Sequence, residues 1–217
     1  MSRDPTGMAD VRADLLAIVQ CGEPVLRRPA DPVDPSALRT ADLQQLILRM
    51  RATMHDASGV GLAAPQVGAS IQLAVLEDGP ERWGQLSEDE RGRRERQALP
   101  FTVLVNPTYQ PVGEDQVSFY EGCLSVPGLT GVVARHRAIR VTALDQHGER
   151  VDRVFVGWAA RIVQHEVDHL GGHLYLDRVE TRSLSTVDNY VHAWAGRPPS
   201  EAADILDFAL AQRVLPE

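Results

Sequence analysis

His165-Glu166-Val167-Asp168-His169 constrains this chain more than any other stretch. It is an H-E-x-x-H pentapeptide inside a run, Gly157 to Leu170, whose apolar spacing predicts a helix. Residues four apart share one helix face, so the two imidazoles can grip a single metal ion. Glu166 then stands beside that ion, placed to carry a proton to or from a water. A fold that uses the motif has to bury this helix and bring a further donor to it. The plain alternative is an amphipathic core helix that happens to contain two histidines, and a third ligand decides between the two.

Three candidates for that ligand can be weighed. A metzincin reads H-E-x-x-H-x-x-G-x-x-H. Gly172 fits that spacing, but the last position is Tyr175, and the nearby histidine is His173. A thermolysin-type enzyme takes a Glu from a later helix, and Glu180 and Glu201 have no supporting context. The third candidate lies upstream: Cys123, in Glu121-Gly122-Cys123-Leu124-Ser125. A thiolate and two imidazoles suit a borderline or soft divalent metal, and three protein ligands leave one position open for chemistry.

A chain of 217 residues is long enough for one domain with its own core. No apolar run approaches the length of a membrane span. Met1 to Arg12 has no apolar segment and carries Asp4 and Asp10, which speaks against a signal or transit peptide and makes the cytoplasm the expected location. Two cysteines make no disulfide framework; with Cys123 as a ligand, Cys21 is expected as a small buried hydrophobe. The net charge of −8 argues against nucleic acid as a main partner. Residues 78–98, where Arg91 to Arg96 interrupts an acidic neighbourhood, read as a solvated insertion carrying a short helix.

The pattern along the chain predicts an α+β fold, mostly antiparallel strands packed around the central metal-binding helix. A short helix is expected over Val11–Ile18, and another over Asp42–His55 with Leu43, Leu46, Ile47, Met50 and Met54 on one face. Gly59 and Gly61 are expected to end that helix in a tight exposed turn. Strands are expected over Ile71–Leu76, Phe101–Val105 (stopped by Asn106-Pro107), Gln116–Tyr120, Gly131–His136, Ile139–Leu144 and Val151–Phe155, with Gln146-His147-Gly148 as a hairpin turn. Ser200 is expected to cap a last helix, Glu201–Gln212.

Three blocks stand in order: Gly59-Val60-Gly61-Leu62-Ala63-Ala64-Pro65-Gln66-Val67-Gly68, then Glu121-Gly122-Cys123-Leu124-Ser125-Val126-Pro127-Gly128, then Gln164-His165-Glu166-Val167-Asp168-His169-Leu170. Together they resemble the peptide deformylases, whose patterns G-x-G-x-A-A-x-Q, E-G-C-x-S and H-E-x-x-H are all intact here. Gly157-Trp158-Ala159-Ala160-Arg161 and Thr186-Val187-Asp188-Asn189 lean toward the organelle-like branch of that family. The resemblance covers about residues 15–190 of a single catalytic domain, leaving 190–217 as a C-terminal extension expected to be helical.

The resemblance implies a metal-dependent hydrolase that removes the formyl group from the N-terminal methionine of newly made polypeptides and releases formate. It implies Cys123, His165 and His169 as metal ligands, Glu166 as general base and acid, and Gln66 with the backbone N–H of Leu124 as oxyanion donors. The implied cofactor is one divalent ion, Fe²⁺ in the cell, with Zn²⁺, Ni²⁺ and Co²⁺ also suited to the donors. Trp158, Arg161 and Ile162 precede His165 by seven, four and three residues, share its helix face and are expected to wall the methionine pocket. Val60, Gly61 and Gly122 are expected on the substrate's other side, holding it as an added strand. The family pattern also pairs Asp168 with Arg135. The implied partners are N-formyl-methionyl peptides, including chains still on the ribosome. Three rival readings are a paralogue acting on a small formylated metabolite or serving as an inhibitor-resistant copy, a metalloprotease, and a non-catalytic binding protein. The missing third histidine speaks against the protease, and the intact motif residues against the binding protein.

Overall fold

The run Leu73–Leu76 is buried at every position, the pattern of a strand covered on both faces, and two helices cover it. The structure, a computed structural model, describes residues 15–84 and 86–211. Strands β1 (Gly61–Ala63), β2 (Leu73–Asp78), β3 (Leu99–Pro111), β6 (Ala138–Leu144) and β7 (Arg150–Val156) form one antiparallel sheet in the order β1-β2-β3-β6-β7. β4 (Gln116–Cys123), β5 (Val126–His136) and the two-residue β8 (Ser185–Thr186) form a second antiparallel sheet. Among the described residues the α-helices are α1 (Ala41–Asp56), α2 (Glu88–Arg93), α3 (Gly157–Leu170), α4 (Val187–Ala193) and α5 (Pro199–Leu206). Helix α3 touches strands of both sheets, so the expected α+β arrangement around a central helix is what the chain adopts.

Helix α1 starts where Thr40 accepts a hydrogen bond from the Leu43 N–H, which satisfies one free donor of the first turn. Its face Leu43, Ile47, Met50 and Met54 is buried against Leu62, Leu73, Val75, Val103 and Val105. Each such side chain contributes about 1.5–3 kcal/mol on full burial. A second cluster joins α3 to the sheet through Ala160, Ile162 and Val163 against Leu76, Leu104, Ile139, Val141 and Phe155.

Several expected boundaries move. Of the helix expected over Val11–Ile18, residues 11–14 lie outside the described residues, and 15–20 have no regular structure. Tertiary partners take their amides: Leu16 N–H donates to Thr53 Oγ1 and Val19 N–H to the Gln66 carbonyl, both at 2.9 Å. Strand β3 does not stop at Asn106-Pro107. Asn106 takes a left-handed conformation (φ 50°), the register shifts between Val105 and Thr108, and the strand resumes beyond this bulge. The Asn106 side chain holds the bulge by exchanging two hydrogen bonds of 2.8 Å with the Val33 backbone. The last helix is shorter than expected: Pro199 opens it and Asp207, at φ 55°, ends it, so Ser200 lies inside it rather than capping it. Cys21 is exposed in a turn, not buried, its N–H donating to the Ser125 carbonyl at 2.7 Å.

The segment read as a solvated insertion is anchored. Ser87 and Glu90 form a reciprocal cap at the start of α2, with acidic residues in its first turn and Arg91 and Arg93 in its last, as the helix dipole favours. Beyond it, Arg96 makes a bidentate pair with the buried Asp78 at 2.8 Å, and Glu95 pairs with Arg137. Gly157, the first residue of α3, has φ 59°, and a Cβ there would stand 2.5 Å from the Glu95 Cβ and 2.9 Å from the Arg94 carbonyl oxygen. That glycine lets the 94–95 backbone lie against the start of the motif helix. None of the described helices is long and apolar enough to cross a membrane.

Candidate active site

Helix α3 presents His165 and His169 one turn apart, with ring centroids 5.0 Å from each other. Cys123, the last residue of β4, is brought to them by that strand. One ligand atom from each of Cys123, His165 and His169 lies within 4.8 Å of the others, and Cys123 Sγ is 3.2 Å from His169 Nε2. Donors bound at 2.0–2.3 Å to one tetrahedral ion stand roughly 3.5 Å apart, so these three fit a divalent metal.

The ligands rest on a buried ion network. Glu121, 6% exposed, receives Arg135 through both oxygens at 3.0 and 2.9 Å, Arg161 Nη1 at 2.5 Å, and stands 3.0 Å from His165 Nδ1. Arg135 also pairs with Asp168 on the far side of α3, and Arg178 holds Asp168 bidentately at 2.9 Å. Burial alone would raise the Glu121 carboxyl, but Arg135, His165 and Arg161 outweigh it and hold it well below the usual range. With Nδ1 held by that carboxylate, the His165 ring has Nε2 left for a metal.

Glu166 is 3% exposed, and its Oε2 has no hydrogen-bond partner among the described residues. Burial pushes its carboxyl up to about 7. An unpartnered carboxylate oxygen beside three metal donors is the arrangement a proton carrier for a water requires. Gln66 is fixed at the same place: its Oε1 accepts the Ala63 N–H at 2.8 Å, which turns Nε2 toward Ser125 Oγ (3.3 Å) and Cys123 Sγ (3.5 Å). A cavity of about 440 Å³ opens from these groups.

The sequence comparisons give this geometry a family. The polypeptide deformylase family model matches residues 15–184. The chain is 52% identical over 198 residues to a Streptomyces avermitilis protein named peptide deformylase 3, covering 90% of this chain and 85% of that one. It is 50% identical over 195 residues to peptide deformylase 1 of Streptomyces coelicolor, covering 90% and 87%. Among solved structures, a class I type b peptide deformylase from Acinetobacter baumannii with Met-Ala-Ser bound is 37% identical, has a TM-score of 0.68, and is matched over 76% of this chain and 98% of that one. The chain belongs to the polypeptide deformylase family. It is a metal-dependent hydrolase that removes the N-formyl group from newly made polypeptides.

Every residue expected in the site lines the cavity except His169, which lies beneath it, wholly buried: Val60, Gly61, Gln66, Gly122, Cys123, Leu124, Trp158, Arg161, Ile162, His165 and Glu166. Two of them sit there for reasons other than those expected. Gly59 and Gly61 do not form a left-handed turn; Ser58 takes that conformation, at φ 56°. A Cβ on Gly59 would come within 2.8 Å of Leu124 Cδ1, and one on Gly61 would overlap the Glu166 carboxylate. Their lack of a side chain makes room for the site. Arg161 reaches the cavity wall, but its guanidinium is engaged inside the protein by Glu121, the Val133 carbonyl at 2.9 Å and the Val117 carbonyl at 2.5 Å.

Four further residues belong to the site. Glu121 opens the E-G-C-x-S block, and its carboxylate orients the His165 ring, a role that a carboxylate two residues before a metal-binding cysteine signals. Ser125 meets Gln66. Arg94 and Tyr190 line the outer part of the cavity from α2's trailing end, which carries no motif, and from α4, where Tyr190 directly follows the Thr186-Val187-Asp188-Asn189 block.

Proposed function

We propose that Cys123 Sγ and the imidazoles of His165 and His169 hold the divalent metal, with Glu166, Gln66 and the Leu124 N–H carrying the chemistry. The observation behind this is the coincidence of the three donors with the unpartnered, buried Glu166 carboxylate. A divalent metal bound by these three residues would supply Lewis acidity to the formyl carbonyl and would lower the pKa of a water from 15.7 to about 7. Glu166 takes the proton as the water oxygen bonds to the formyl carbon. The Gln66 side-chain N–H and the Leu124 backbone N–H donate to the carbonyl oxygen as it gains charge. Glu166 then returns the proton to the amine nitrogen as the C–N bond breaks, giving formate and a free α-amine. Glu121 supports this by orienting His165, and Arg161 by fixing Glu121.

Trp158 and Ile162 line the wall beside the metal and suit an unbranched side chain such as methionine; Val60, Gly61 and Gly122 edge the opposite side, where backbone groups can pair with an extended peptide. On the family resemblance the metal in the cell is Fe²⁺, and the same donors suit Zn²⁺, Ni²⁺ and Co²⁺. An exposed thiol at Cys21 and a thiolate ligand at Cys123 both suit a reducing compartment, which supports work in the cytoplasm as a single catalytic domain.

The test is anaerobic purification with metal analysis and formate release from formyl-Met-Ala-Ser, on wild type and Glu166→Gln. The expected result is a variant that retains the metal and loses turnover by about 10²–10⁴-fold. Near-normal formate release from metal-replete Glu166→Gln would remove Glu166 from the mechanism.

A further inference from the structure

The outer part of the cavity carries one charge whose role the metal centre does not explain. Glu121 and Arg161 neutralise each other within the wall, and Glu166 and His165 belong to the reaction. Arg94 stands apart. Its guanidinium lies 4.8 Å from the centre of the Trp158 ring and makes no ion pair or side-chain hydrogen bond with any described residue. Stacking on an aromatic ring engages the face of a guanidinium and leaves the five N–H donors in its plane available.

The position of Arg94 is fixed from both sides. Its neighbour Glu95 pairs with Arg137 and packs on Gly157, and Arg96 pairs with the buried Asp78. Arg93 donates to the Gly196 carbonyl at 2.9 Å, tying the same turn to the C-terminal segment. Arg93 and Arg197 lie near Arg94 beside Tyr120 and Tyr190, but Arg93 is engaged by that carbonyl, Arg197 by Glu201 at 3.4 Å, and Glu90 stands among them. Arg94 is the guanidinium of this group left without an acceptor among the described residues.

Distance along α3 says which part of the substrate it meets. Trp158 precedes His165 by seven residues, or about 10 Å of helix rise. Trp158 walls the first side chain, and an extended peptide advances about 3.3 Å per residue, so the Arg94 guanidinium, 4.8 Å beyond the ring centre, falls to the residues that follow when the formyl group is at the metal. We propose that Arg94 is a specificity-determining residue that receives an acidic side chain at the second or third position of the formylated peptide. This rests on the assignment of the formyl group to the Cys123, His165 and His169 centre.

The test uses the metal-loaded full chain and formyl-Met-Xaa-Ala and formyl-Met-Ala-Xaa peptides with Xaa as Glu, Gln or Lys, all blocked as C-terminal amides so that only the side chain carries charge. Formate release gives kcat/KM, and the readout is the Glu-to-Lys ratio within each protein. Wild type is expected to favour Glu over Lys by about fivefold, the scale of a partly exposed charge pair. That ratio should collapse toward one near 1 M salt, where the Debye length is about 3 Å. Arg94→Gln should flatten the ratio, Arg94→Lys should keep most of it, and Arg94→Glu should reverse it. Wild-type turnover with equal rates for Glu, Gln and Lys would overturn the proposal, as would a change only in first-residue preference on replacing Arg94. Wild type inactive on every peptide would instead overturn the assignment of the reaction centre. The wild-type salt series needs no variant to fold.

Discussion

The inner and outer walls of the cavity are built by different rules. The inner wall consists of Gln66, Cys123, His165 and Glu166, the first three held by buried partners and the last left free for the reaction, with Arg135 and Glu121 2% and 4% exposed at the side chain. The outer wall consists of Arg94, Tyr190 and Val187, set on short helices and held through exposed or half-exposed contacts such as Arg137–Glu95, at 30% and 35%. Desolvated groups have one acceptable arrangement, because an unpaired buried charge is costly. Exposed groups can exchange a protein partner for water at little cost. The inner wall is therefore intolerant of change, and the outer wall is where one deformylase can differ from another.

The largest effect should follow from removing a ligand. Cys123→Ala, His165→Ala or His169→Ala is expected to lose metal and with it formate release, because three ligands leave no redundancy. Metal analysis of the purified variants decides it; full occupancy in Cys123→Ala would place the centre elsewhere. The same kind of bond in the two walls should then behave differently. Arg135→Ala strands Glu121 and Asp168 in the interior and should destabilise the fold by about 3–5 kcal/mol. Arg137→Ala removes an equally short pair near the surface and should cost about 1 kcal/mol or less. Equal shifts in the urea midpoint would dissolve the distinction between the walls.

Gln66→Ala probes the inner wall without touching metal or charge. Loss of one oxyanion donor is worth about 2.7–4 kcal/mol of transition-state stabilisation, so kcat should fall by about 10²–10³-fold while metal content is unchanged. A loss of metal in this variant would instead assign Gln66 to holding Cys123, from which its Nε2 is 3.5 Å away.

The two walls were also unequally legible in the sequence. The inner wall could be read because its chemistry fixes residue types at short spacing: histidines four apart, a glutamate between them, a cysteine after a Glu-Gly pair. Helix α3 occupies the expected span, Gly157–Leu170, because its periodicity is unbroken until Gly171-Gly172. What could not be read depended on distant partners. Residues 15–20 are not helical where Leu16 and Val19 bond instead to Thr53 and Gln66, and β3 ran through Asn106 because Val33 waits across the bulge. Segment 78–98 looked solvated because the Asp78 that anchors Arg96 lies eighteen residues earlier, at the end of a strand. Arg161 looked like a pocket residue because helical phase reports which way a side chain faces but not that Glu121 is already there.

The smallest expected effect lies where the two walls join. Trp158 belongs to α3 by sequence, yet it contacts the outer wall, with Phe119 edge-on at 6.2 Å and the Arg94 and Arg96 guanidinium groups at 4.8 and 5.5 Å. It lines the cavity with Ile162, on the side where the first side chain of the substrate enters. A pocket shaped by this ring should accept methionine and norleucine alike and discriminate against shorter or charged side chains. A pocket recognises each methylene by only about 1–3 kcal/mol, so truncating the ring should compress the preference rather than abolish activity. The measurement is kcat/KM for formyl-Xaa-Ala peptides with Xaa as Met, norleucine, Ala or Asp, in wild type and Trp158→Ala. Trp158→Ala should narrow the Met-to-Ala ratio by about tenfold or more, within that same energy range, and keep the metal. An unchanged ratio together with a lowered urea midpoint would make Trp158 a packing residue between the walls and move first-residue recognition to Ile162 and Val60. Because Trp158 also carries the Arg94 stack, the variant should weaken any preference for acidic downstream residues in the same assay, and its two ratios would then show whether recognition of the first residue is coupled to recognition of those that follow.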